Sequence, residues 1–101
     1  MIHLVHAWSY GGNHHALYRA DAAGDELPPG LHEHPYPHSC YATAGEIEAF
    51  FDDRAPVTAC PGDEPFVFAA GRKHGIRALT DGAMFINERE IGPANAAPRT
   101  E

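Results

Sequence analysis

Apolar and polar residues change places over short distances along this chain. Seven runs carry the pattern: 2–8 (IHLVHAW), 15–20 (HALYRA), 39–43 (SCYAT), 46–51 (EIEAFF), 66–70 (FVFAA), 75–79 (GIRAL) and 83–87 (AMFIN). They are strand-length, and most contain β-branched or aromatic residues. Between them stand YGG (10–12), AAGDELPPG (22–30), DDRAP (52–56), CPGDEP (60–65) and TDG (80–82), which read as turns or loops. Short strands at this spacing predict an all-β sandwich or barrel. Residues 46–51 admit a second reading. Thr43 lies three residues before Glu46 as in a capping box, and Ile47, Phe50 and Phe51 share a helical face. The alternation of Ile47, Ala49 and Phe51 with Glu46 and Glu48 fits a half-buried strand equally well. Residues 91–101 show no apolar periodicity, so a single domain over 1–90 with a flexible C-terminal tail is expected.

Composition narrows the class. A chain of 101 residues with 44% hydrophobic content supports one compact core and no second domain. Its net charge of −7 offers no basic stripe to neutralise phosphates, which argues against a nucleic-acid partner. No apolar run approaches the roughly 20 residues of a membrane-spanning helix. The start, MIHLVHAW, is too short and uncharged for a signal peptide, so a cytoplasmic location with Cys40 and Cys60 reduced is expected.

Eight histidines against seven Lys plus Arg is the unusual feature of this chain. Imidazole is mostly neutral near pH 7, poor as a charge and good as a metal ligand or proton carrier. Three of the eight fall in the segment GLHEHPYPHSCYATAG (30–45). On an extended strand, His32, His34 and His38 start on one side with Tyr36 and Cys40, and rings at i and i+2 lie roughly 6–7 Å apart. Pro35 and Pro37 cannot donate to a ladder and are suited to bending the strand so that His38 swings toward the other two. The HxHxxxH spacing reads as a metal site more readily than as a His-rich loop.

Those residues, with a second segment PGDEPFVFAAGRKHGI (61–76), resemble the two motifs of the cupin superfamily, G(x)5HxH(x)3–4E(x)6G and G(x)5PxG(x)2H(x)3N. His32 and His34 stand at the HxH, His38 where the family has glutamate, and Gly45 at the last glycine of the first motif. In the second, Ala69, Gly71 and His74 stand for PxGxxH, preceded by Gly62. The departures are the missing glycine six residues before His32, Ala69 for proline, one extra residue after Gly62, and Ala78 for asparagine. The resemblance covers Gly24 to Asn87. It implies a single-domain antiparallel cupin β-barrel of the jelly-roll type, in which 46–51 is a strand. Carried over residue by residue, it implies four metal ligands, His32, His34, His38 and His74. An all-imidazole set suits a divalent ion such as iron, zinc or nickel, with manganese also found in similar small cupins.

Tyr36 and Cys40 are candidates to approach the metal, with edge packing and a small buried thiol as their plainer readings. His14 and His15 point to opposite strand faces and are expected at the surface or in a turn; His3 and His6 are expected to be structural, and Arg77 to face solvent. Phe66, Phe68, Met84 and Phe85 are expected in the barrel core. The function expected is that of a metal-dependent enzyme, foremost a dioxygenase, acting on a small oxygenated or dicarbonyl-like substrate. The alternatives are a cupin isomerase or lyase, weakened because no Glu or Asp stands out as a general base, and a non-catalytic binding or sensing protein. Exposed edges of so small a barrel predict a homodimer, with strand 2–8 the candidate for exchange.

Overall fold

A computed structural model describes residues 1–91, and positions 92–101, which include nearly all of the expected tail, lie outside the described residues. The elements are β1 (Ile2–Tyr10), β2 (Asn13–Ala20), β3 (Glu26–His32), β4 (His38–Ala44), β5 (Ile47–Phe51), β6 (Val57–Ala59), β7 (Phe66–Phe68), β8 (His74–Ala78) and β9 (Met84–Glu90). No helix occurs among the described residues. Residues 47–51 form a strand, with Ile47 and Ala49 both buried, so alternation prevails over the capping-box pattern.

The strands build two antiparallel sheets, ordered β1-β2-β9-β4-β7 and β3-β8-β5-β6. Alternate residues of both sheets point inward. Ala20, Cys40, Ala42, Phe68 and Phe85 from one meet Ile47, Ala49, Ala59, Ile76 and Ala78 from the other. Among the described residues, seven of the twelve buried hydrophobic ones are alanines, so the layers approach closely and Phe68 and Phe85 are the largest side chains in the core. Phe66 packs at the margin of this core, and Met84 is half-buried, because its neighbour Phe85 takes the inward position.

Two elements escape the sequence pattern. β3 runs through Pro28, Pro29 and Gly30, expected as loop; it is an edge strand that pairs with β8 only at Glu26, Leu27 and His32, so its prolines remove no needed bond. β6 has just three residues. Arg77 is on the outer face as expected, yet half-buried: it donates to Glu26 at 2.9 Å and Glu48 at 2.6 Å, tying β3 and β5 to β8, and lies over the Phe50 ring.

One glycine position is forced. Gly45, between β4 and β5, has φ of +68°, and a Cβ there would lie 2.3 Å from Thr80 Oγ1, the atom that accepts from the Glu46 amide at 3.0 Å. A tight left-handed turn with a side chain packed against it admits no other residue without strain.

Candidate metal centre

The chain crosses from one sheet to the other between His32 and His38, and this crossing assembles the site. His32 is the last residue of β3, His38 the first of β4, and the two strands belong to different sheets. The expectation of one bent strand is therefore corrected. His34 and Tyr36 lie in the connecting segment, where Pro35 and Pro37, lacking N–H groups, suit a passage outside any ladder. The His34 carbonyl accepts from Gly71 N at 2.8 Å, which fixes the crossing against the loop that leads into β8. His74 opens β8 directly opposite His32 on one side and Phe51 on the other.

Four imidazoles converge as a result. Ring centroids are 4.8 Å apart for His32–His34, 4.5 Å for His32–His74, 5.2 Å for His34–His38 and 5.0 Å for His38–His74. One nitrogen each of His32, His34 and His74 can be chosen so that all three lie within 4.8 Å of one another, a group that could hold a metal ion. His38 joins through its Nε2, which is 3.1 Å from His74 Nε2. Two nitrogens bound to one ion at 2.0–2.1 Å stand about 3.0–3.4 Å apart, depending on geometry, so this separation also suits a shared ion.

The residues fit such an ion chemically. His74 Nδ1–H donates to the Arg72 carbonyl at 3.0 Å, leaving the Nε2 lone pair turned to the cluster. Among the described residues the Nδ1 atoms of His32 and His38 are buried without a hydrogen-bond partner, an arrangement that costs stability unless the rings gain something else. Burial, followed by the nearby His74 and His34 rings, lowers the pKa of His32 and of His38 to about 4. His34 is lowered by burial, then by His74 and Arg89, and His74 by burial against a smaller opposing effect of the Arg72 carbonyl. All four rings are thus neutral near pH 7 and available as ligands.

These shifts predict a pH dependence for the chelator-treated protein. Between about pH 6.5 and 4 the unfolded chain, with ordinary imidazoles, binds more protons than the folded one, so stability falls on acidification through that window. Above it the two groups add no slope. Urea midpoints at pH 7, 6, 5 and 4 should decline in that order; equal midpoints would mean that the rings are solvated.

A cavity of about 360 Å³ opens beside His32, His34 and His38. Leu27, Pro28 and Ile76 give it an apolar wall, and Tyr36, Asn87 and Arg89 a polar one. Tyr36 stacks on His34 at 5.0 Å and carries the Arg89 guanidinium 4.6 Å from its ring centre. His14 also lines the cavity, contrary to the surface position expected for it, because it takes the inward parity of β2 that Ala16 and Tyr18 share. His15 is half-buried on the other face, stacked on Trp8 at 5.1 Å. Cys40 is fully buried in the core, and burial alone raises its thiol pKa far above the usual range. Glu88 lines the cavity as well, but its Oε2 accepts from Asn13 at 2.6 Å. Neither Asn87 nor Arg89 stands out in the sequence. Their signal was the alternation Phe85, Asn87, Arg89, visible only once the last strand is carried past residue 87.

No family model and no curated protein matches the sequence. Solved structures resemble its fold. A cupin-2 domain protein of Shewanella frigidimarina is 15% identical with a TM-score of 0.66, covering 89% of this chain and 79% of its own. An RmlC-like cupin of Desulfovibrio desulfuricans is 26% identical with a TM-score of 0.63, covering 87% and 79%. A cupin-2 conserved barrel protein of Leptotrichia buccalis is 18% identical with a TM-score of 0.72, over 89% of this chain and 41% of the other. The chain has the cupin fold, an all-β jelly roll, with a histidine cluster that could bind a metal, three of whose rings line the cavity. No helix among the described residues is long and apolar enough to cross a membrane.

Proposed function

We propose that this protein is a metal-dependent cupin enzyme that holds a divalent ion through His32, His34, His38 and His74 and oxygenates a small oxygen-bearing substrate. The convergence of four neutral imidazoles beside a cavity of about 360 Å³ carries the reading. An ion held by these four rings would supply a Lewis acid to an oxygen-bearing substrate. The ring set contributes no negative charge, so an ion held there would keep more of its acidity than one held with a glutamate in place of His38. The chain positions the rings through the β3–β8 pairing and the Arg72 carbonyl, and the Leu27, Pro28 and Ile76 wall excludes water from the substrate's hydrocarbon part.

The test is metal content of the protein as purified, followed by loading with iron(II), manganese(II), zinc or nickel and oxygen-electrode assays on 1,3-dicarbonyls, catechols and 2-oxo acids. Oxygen uptake with iron or manganese and one substrate class is the expected result. A stoichiometric ion with no uptake on any of them would make the protein a binding module instead.

The same proposal includes a homodimer formed along β1. This nine-residue strand is the edge of its sheet, exposes Leu4 and Val5, and carries no Lys or Pro. Light scattering should give twice the chain mass of 11.0 kDa, and Val5→Lys should shift the protein to monomer. A monomeric wild type at tens of micromolar would overturn it.

A further inference from the structure

Tyr18 stands on β2 at the inward parity it shares with Ala16 and Ala20. Its ring packs against the core, stacked on Phe85 at 5.4 Å, and also lines the cavity. A phenylalanine would make the same stack, so what tyrosine adds here is one hydroxyl. Phenols inside a protein ordinarily find a hydrogen-bond partner. This one has none among the described residues, and it is not sealed in the core, so it opens to the cavity that its ring lines. Burial, then the neighbouring Tyr36 and Cys40, raises its pKa, which keeps the hydroxyl protonated and a donor at neutral pH. The rest of the wall sets the character of a ligand. Leu27, Pro28 and Ile76 are apolar, and the charged residues that line the cavity, Glu88 and Arg89, are of opposite sign. An anion would meet the carboxylate and a cation the guanidinium, so the lining favours an uncharged molecule.

We propose that Tyr18 determines specificity, its hydroxyl donating a hydrogen bond to the carbonyl oxygen of a small uncharged ketone whose hydrocarbon part lies against Leu27, Pro28 and Ile76. This deepens the functional reading above, on which it rests for the chemistry that follows binding, by selecting uncharged carbonyl compounds over oxo acids. A ketone oxygen accepts and cannot donate, which matches a hydroxyl that the fold leaves as a free donor. His32, His34 and His38 line the same cavity, so a ketone held at Tyr18 shares its space with the cluster. The volume of about 360 Å³, near the lower end for ligand sites, suits a molecule of a few carbons.

The probes are cyclohexanone and cyclohexanecarboxylate, titrated into chelator-treated protein and followed by NMR shift changes. The ketone should bind at least about fivefold tighter than the carboxylate, whose charge the cavity does not compensate. Tyr18→Phe should weaken the ketone by about five- to tenfold, the loss of one hydrogen bond. The same variant, without ligand, should melt within about 2 °C of wild type, because the hydroxyl it removes holds nothing inside the protein. That pairing separates a ligand contact from a structural one. No binding of the ketone, tighter binding of the carboxylate, or an undiminished ketone affinity in Tyr18→Phe overturns the proposal. So does a drop of several degrees in that variant's melting temperature, which would reveal an internal partner for the hydroxyl. Tyr18-dependent ketone binding in a protein that takes up no zinc would uphold it while defeating the metal reading, so the two fail separately.

Discussion

Replacing His74 by alanine should weaken zinc binding by about a hundredfold or more and abolish the rise in melting temperature that zinc gives the wild type. His74 sits at the centre of the cluster: its ring is 4.5 Å from that of His32, 5.6 Å from His34 and 5.0 Å from His38. It is also the ring held most firmly, 1% exposed, with Nδ1 on the Arg72 carbonyl and a face stacked on Phe68 at 4.2 Å. A ligand oriented by two such contacts loses little freedom on binding an ion, and removing it leaves the others without their common neighbour. His38→Ala should cost less, because His32, His34 and His74 already form a group of three. His38→Glu should keep the ion while lowering its acidity, and so lose oxygenation rate more than metal. Calorimetric zinc titration and elemental analysis of the three variants check this, with His74→Gln included to preserve volume. Wild-type zinc affinity in both His74 variants would show that the cluster is not the metal site, and unchanged affinity in His38→Ala would remove that residue from the set.

Much of this was legible in the chain, and what was not has identifiable causes. Alternation exposed β2, β4, β5 and β9, because one face of each is turned to the core and the period of two survives in the residue pattern. β3 was hidden because Pro28, Pro29 and Gly30 are strong turn formers; an edge strand tolerates them, and whether a strand lies at an edge is a property of the whole sheet. The histidine spacing named the rings that converge, but for an incomplete reason. The i, i+2 argument placed them on one bent strand, whereas His32 and His38 come from opposite sheets and meet because the proline segment spans the gap between the layers. Spacing records that a chain can bring groups together and leaves the route open. His14 and Arg89 illustrate the converse: each lies on a strand whose inward parity is set by a buried neighbour, Ala16 or Phe85, and a one-residue error in parity hides it.

Phe68 joins the core to the site, and its removal should have the largest effect on folding. It is 1% exposed, stands opposite His38 in the β4–β7 ladder, stacks on His74 at an interplanar angle of 11° and lies 5.9 Å from the Phe51 ring. In a core otherwise filled largely by alanines, few neighbours can move in to refill the space it would vacate. Phe68→Ala should therefore cost about 3–5 kcal/mol, a large part of the roughly 5–15 kcal/mol available to a domain of this size. The melting temperature should drop by about 15 °C or more. Phe68→Leu retains most of the buried volume and should cost about 1–2 kcal/mol, losing the aromatic face against His74 but not the coordination. Zinc should then raise the melting temperature of Phe68→Leu nearly as much as that of wild type, and His74→Ala should show no such rise. Thermal melts of the variants with and without zinc decide the matter: a Phe68→Ala protein that melts within a few degrees of wild type would mean that the ring does not occupy the core as described, and a Phe68→Leu protein insensitive to zinc would mean that the stack, rather than the imidazole nitrogens, governs the site.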